Sequence, residues 1–220
     1  MSKPDFAVAP EDYALLFEAI KKQNEPLHPD LLPYLEQSSF PMLRHPLVYQ
    51  VPFFSGGQAN YQYEAKKKYV AKALKEKNYN SFIFLHERPY RVEAFIEIEP
   101  LLTDKQYWEL LSAIYTDTEN AWAYLSQYKK LFSSKRSNRE YLMDEKERQD
   151  YEALPDEVTI YRGYQVGQNK NGISWTTSKK TAEWFATRFN KNGKVVEKRV
   201  PKRDIIAVFN GRNESEVIVL

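Results

Sequence analysis

Three short segments near the end of this 220-residue chain carry side chains that could do chemistry together. The first, 160–164, reads IYRGY and holds Arg162. A guanidinium is planar, permanently charged and able to grip two phosphate oxygens at once. Gly163 beside it lets a ligand approach the backbone closely. The second, 174–178, reads SWTTS. On a strand, Ser174 and Thr176 share one face and Trp175 and Thr177 the other, so two hydroxyls could hold a sugar or fix a carboxylate. The third, 214–219, reads ESEVIV. On a strand, Glu214 and Glu216 face the same side. Like charges that close raise each other's proton affinity unless a cation or polar group relieves them. Val217, Ile218 and Val219 follow directly, which sets the acids at the mouth of a buried strand. Paired carboxylates serve reactions that pass through an oxocarbenium ion, one supplying negative charge and the other handling a proton. Singly, each segment also reads as something ordinary: a surface arginine, a Thr-rich strand entering a helix cap, a solvated acidic edge.

The elements that must position these residues form an α+β pattern. From about residue 157 the chain alternates as strands at 157–164, 173–177, 194–200, 204–209 and 214–220, with turns at 167–172, 190–193 (NKNG) and 210–213 (NGRN). One helix interrupts them at 178–189, with Ser178 as N-cap and Ala182, Phe185, Ala186 and Phe189 on one face. Ahead of the strands, 104–115 and 117–131 read as amphipathic helices, with Thr116 or Asp117 capping the second. Further upstream come a helix at 11–22, an extended stretch at 46–55 ended by Gly56-Gly57, and a basic helix at 60–77 with Tyr61, Ala65, Tyr69 and Leu74 inward. Two strands at 81–87 and 91–99 complete the reading. Helices and strands are segregated rather than alternating, which argues against a doubly wound α/β sheet.

Taken in order, the arginine strand, the S-x-T strand, the helix with Ala-x-Trp-Phe and the E-x-E strand resemble the arginine-serine-glutamate class of ADP-ribosyltransferases, of toxin or phage type. The resemblance covers about residues 156–220, within a catalytic domain expected at 101–220. Residues 1–100 are left as an N-terminal α+β extension without an assigned role. The resemblance implies a split mixed or antiparallel β-sheet with preceding helices, and NAD+ as co-substrate without a metal. It implies that Arg162, with Gly163 beside it, binds NAD+ phosphate and ribose. Ser174 would bond the catalytic glutamate and the nicotinamide-side ribose, and Thr176 would close that motif, in which Trp175 replaces a small residue. Glu216 would be catalytic, and Glu214 would serve arginine-directed transfer. NGRN would recognise the acceptor, and Arg188, near NKNG, would make a second diphosphate contact. The implied acceptor is a protein arginine. Hydrolysis of NAD+, transfer to nucleic acid or a small molecule, and an inactive interaction module are the alternatives.

Composition narrows the field. The chain has no cysteine, so disulfides, thiolate nucleophiles and Cys-based zinc sites are excluded. His28, His45 and His86 lack paired ligand spacing, and His86 reads as a turn or interface residue. No apolar run has membrane-span length, and no apolar block follows the start as in a secretory signal. A cytoplasmic location, of its own cell or of a host, is the expectation. A net charge of +2 does not by itself imply nucleic acid. The basic runs at 66–68 and at 129, 130, 135 and 136 read as solvated helix faces.

Overall fold

The computed structural model describes residues 25–36, 41–53, 55–119, 121–167, 170–189, 192–211 and 214–220. The helix expected at 11–22 lies outside them. The chain forms two compact units, Met1–Ala94 and Phe95–Leu220. The division falls inside one helix rather than at the expected 100/101 boundary. Among the described residues, no helix is long and apolar enough to cross a membrane.

The first unit opens on a 3-10 turn, Pro29–Tyr34, capped by the His28 ring, which accepts from the Asp30 amide. An antiparallel meander follows: β1 (Leu35–Glu36), β2 (Met42–His45) and β3 (Val48–Gln50). Helix α1 (Gly56–Lys75) closes a core of Leu31, Leu43, Leu47, Val48, Ala59 and Tyr63. Gly56 and Gly57 therefore open a helix rather than end a strand, and Ser55 before them has the extended backbone of an N-cap residue. The buried face of α1 runs through Ala59, Tyr63 and Ala73, not through the expected Tyr61, Ala65, Tyr69 and Leu74; Tyr69 is 58% exposed. Ala59 and Tyr63 supply the face that meets the core, while Tyr69 turns outward.

The strands expected at 81–87 and 91–99 are helices, α2 (Tyr79–Leu85) and α3 (Arg91–Ile98). Their aromatic and β-branched content is a weak strand preference. Burial of Val92, Phe95 and Ile98 at three-residue spacing outweighs it. Asn78 starts α2 by accepting from the Ser81 amide at 3.1 Å.

In the second unit, α4 (Asp104–Asp117) starts at a capping box of Thr103 and Gln106. It runs through Thr116 and Asp117, so neither caps the next helix, α5 (Leu125–Phe132), which a 3-10 turn precedes. Arg136, expected on a solvated face, is instead structural. It donates to the carbonyls of Leu102 and Glu99, both at 2.9 Å, and stacks over Tyr107. After α6 (Glu145–Glu152) come β4 (Glu157–Gln165), β5 (Ser174–Thr176), α7 (Lys179–Thr187), β6 (Gly193–Pro201), β7 (Ile205–Phe209) and β8 (Glu216–Val219). The five strands form one antiparallel sheet in the order β6-β4-β5-β8-β7. The α+β class expected of the chain is therefore observed. Ser178 caps α7 as expected, accepting from the Thr181 amide at 3.2 Å. Ala182 and Ala186 are its buried face, but Phe189 is 76% exposed rather than inward.

Candidate active site

Sheet order brings the three segments together: β4 with Arg162, β5 with Ser174 and β8 with Glu216 are adjacent. Register then sets the faces. Tyr161 pairs with Thr176, Thr176 with Glu216, and Glu216 with Phe209, so these four form one cross-strand row. Alternation puts the first carbon of the Arg162 side chain on the other face, across from Val196. Reach closes that gap. Nη1 of Arg162 donates to the Ser174 carbonyl, on the strand next to Glu216. Gly172 makes the path possible, because a Cβ there would occupy the position of the guanidinium.

A fourth residue, Tyr115 near the end of α4, completes the group. Its hydroxyl donates to Oε1 of Glu216 at 2.9 Å. Ser174 of β5 lies in the same electrostatic neighbourhood. Burial pushes the Tyr115 hydroxyl well above the ordinary tyrosine range, and the charge and hydrogen bond of Glu216 push it further. Burial also pulls the Arg162 guanidinium below its ordinary value, against the opposing fields of Tyr115 and Glu216. The arrangement is thus a half-buried guanidinium, a serine, a neutral phenol and a carboxylate within one electrostatic neighbourhood. It can bind an anion and stabilise a developing cation a short distance away.

The other expected site residues have different surroundings. Glu214 lies outside β8, and Ser215 between the two acids has φ 45°. The same-face argument for Glu214 and Glu216 needs extended backbone throughout, so it fails at this left-handed residue. Thr176 is buried and its hydroxyl is committed to backbone. It donates to the Glu214 carbonyl at 2.6 Å and accepts from the Ser178 amide at 3.0 Å. It therefore fixes the turn that carries Glu214 and the start of α7. Gly163 admits a helix rather than a ligand, since a Cβ there would overlap the Ala182 carbonyl oxygen of α7. Arg188 sits at the end of α7 over the rings of Phe189, Phe185 and Trp184, at 4.5, 4.7 and 5.4 Å. Positions 212–213 of NGRN and 190–191 of NKNG are outside the described residues. Asn210, which begins the first of these turns, is tied to α6 through Glu147 and Asp150.

Two open pockets in this unit have linings that do not include Arg162, Ser174, Tyr115 or Glu216. One of about 280 Å³ adjoins Gly172, Trp175 and Val196, with Lys129, Lys170 and Lys198 at its rim. The other, about 620 Å³, lies along α6 between Arg139, Met143 and Arg148, apart from the residues above. Among the described residues, no cluster of three or more His, Asp or Glu side chains is arranged to hold a metal ion. His86 serves as a turn residue, its Nδ1 meeting the Phe82 carbonyl at 2.8 Å.

Sequence reasoning missed Tyr115 and Gly172. A tyrosine on the buried face of an amphipathic helix needs a partner for its hydroxyl, and that requirement was the available signal for Tyr115. Comparison of the chain with family models, with curated proteins and with solved structures finds no match.

Proposed function

We propose that the chain transfers ADP-ribose from NAD+ to a protein arginine, and that the sheet β4–β8 with the helices before it is an ADP-ribosyltransferase fold. The observation that carries this reading is the gathering of Arg162, Ser174 and Glu216 from three adjacent strands around one buried phenol. Each residue type suits its part. Arg162 would hold the diphosphate, so that the nicotinamide ribose is presented in a fixed position. The bond between C1′ and the nicotinamide nitrogen breaks, and its electron pair leaves with nicotinamide. The ribose becomes an oxocarbenium ion. The Glu216 carboxylate stabilises that charge more than it stabilises the ground state, which is the source of acceleration. A guanidinium nitrogen of the acceptor then attacks C1′, and the proton it loses passes to Glu214. The products are nicotinamide, ADP-ribosylated arginine and one proton.

The direct test is incubation of the purified protein with adenylate-labelled NAD+ and a cell lysate, followed by mass spectrometry of labelled proteins. Labelled arginine is the expected result. Absence of nicotinamide release, with lysate or without it, overturns the reading. Glu214→Gln is expected to keep NAD+ hydrolysis while losing label on arginine, and retained arginine label removes Glu214 from its role.

A further inference from the structure

We infer that Tyr115, which comes from a helix outside the three strands, is the positioning residue for Glu216. The inference rests on the ADP-ribosyl-transfer reading above and adds to it a residue that the motif order does not contain.

The geometry is direct. Tyr115 is 5% exposed and gives its hydroxyl to Oε1 of Glu216 at 2.9 Å. Three aromatic residues fix the ring: Tyr128 at 5.1 Å and Phe132 at 5.2 Å, both edge-on, and Phe209 at 5.7 Å. Phe209 is also the β7 residue paired with Glu216, so ring and acid are held by the same strand. A phenol has one proton to give, and here it goes to Glu216. Tyr115 of α4 and Arg162 of β4 are titratable or charged groups that face Glu216. Strand β5 brings Ser174 and Thr176, β7 brings Phe209, and Tyr128 of α5 turns its hydroxyl to Thr118 at 2.9 Å. A donor aimed at a carboxylate favours its ionised form. Tyr115 therefore keeps Glu216 charged, and aimed, to a lower pH than the acid would reach without it.

Tyr115→Phe keeps the ring and removes only the donor. The assay is nicotinamide release from NAD+ with agmatine as a free guanidinium acceptor, followed from about pH 5 to about pH 9. In Tyr115→Phe, kcat is expected to fall about ten- to hundredfold while KM for NAD+ stays within about twofold. The acid limb of the profile should move to higher pH. A profile and kcat equal to wild type overturns the inference. Should Tyr115→Phe fail to fold, replacing Tyr115 with 3-fluorotyrosine keeps the shape and changes the phenol's acidity, and an acid limb and kcat unmoved there overturn it. Wild-type turnover in Glu216→Gln sinks the transfer reading itself. Loss of turnover in Glu216→Gln with none in Tyr115→Phe sinks only the role of Tyr115.

Discussion

Each unit of the molecule contains a tyrosine donating to a carboxylate beside a cation, and solvent separates what the two groups can do. In the first unit, Tyr63 donates to Oδ2 of Asp30 at 2.6 Å, and Lys67 donates to the same oxygen at 3.2 Å while lying over the Tyr63 ring. The Asp30 and Lys67 side chains are 49% and 53% exposed. Water screens such a pair, so its work is mechanical: it fastens the 3-10 turn to α1. In the second unit, Tyr115 is buried, Arg162 is half-buried, and both titrations are displaced mainly by burial. Charges there act through a poorly screening medium, where fixed dipoles are worth most to a reaction. The same three chemical types make a staple in one place and a candidate catalytic group in the other.

The sharpest way to break this contrast is to neutralise the acid in each. Glu216→Gln, nearly isosteric, is expected to lower NAD+ turnover on the order of a hundred- to a thousandfold with NAD+ binding retained. Asp30→Asn is expected to leave turnover at the wild-type level. Steady-state nicotinamide release and NAD+ titration calorimetry on both variants check this. Equal losses in the two variants would mean that burial does not distinguish the groups.

A second comparison lies within the second unit, between two glycines ten sequence steps or fewer from Arg162. At Gly163 a Cβ would strike the backbone of α7 at Ala182 and Ala186, which cannot step aside. Gly163→Ala should therefore destabilise the fold by about 1–3 kcal/mol or more, read by urea denaturation. At Gly172 the obstructed group is the far end of the Arg162 side chain, which can swing away. Gly172→Ala should leave the denaturation midpoint nearly unchanged and weaken NAD+ binding about tenfold, roughly the loss of one charge-assisted contact. A Gly172→Ala protein that unfolds early and binds NAD+ normally would assign this glycine to packing.

What the sequence made legible follows the range of the interactions involved. Strands β4 to β8 and the Ser178 cap of α7 are set by alternation, turn residues and a three-residue hydrogen bond, all local signals. The adjacency of Arg162, Ser174 and Glu216 was implied by the family resemblance and is not dictated by chain order, since the sheet runs β6-β4-β5-β8-β7. Tyr115 was not legible, because its partner is 101 residues away and nothing near it in the chain announces the bond. The face of Glu214 was misread because one left-handed residue, Ser215, interrupts a two-residue period that assumes extended backbone. Residues 81–99 were misread because aromatic and β-branched content was weighed above the helical spacing of the buried positions.

The smallest expected effect belongs to the exposed staple, and its pH dependence has a definite sign. The hydrogen bonds from Tyr63 and Lys67 hold the Asp30 carboxyl below the ordinary Asp range. A carboxyl with a depressed folded-state pKa contributes stability above its unfolded value, near pH 4, and loses it as pH falls through the folded value. Tyr63→Phe removes the larger of the two causes. The variant should therefore melt no more than a few degrees below wild type at neutral pH. Its difference from wild type should shrink as pH falls below about 4, once Asp30 is protonated in both. Its rate of nicotinamide release should match wild type at every pH. Thermal melts across the acid range, run beside the NAD+ assay, read both halves of the expectation. A constant difference in melting temperature down to the lowest pH would show that Tyr63 contributes through packing alone. A lowered rate would bring the staple into the chemistry and end the contrast between the two tyrosines.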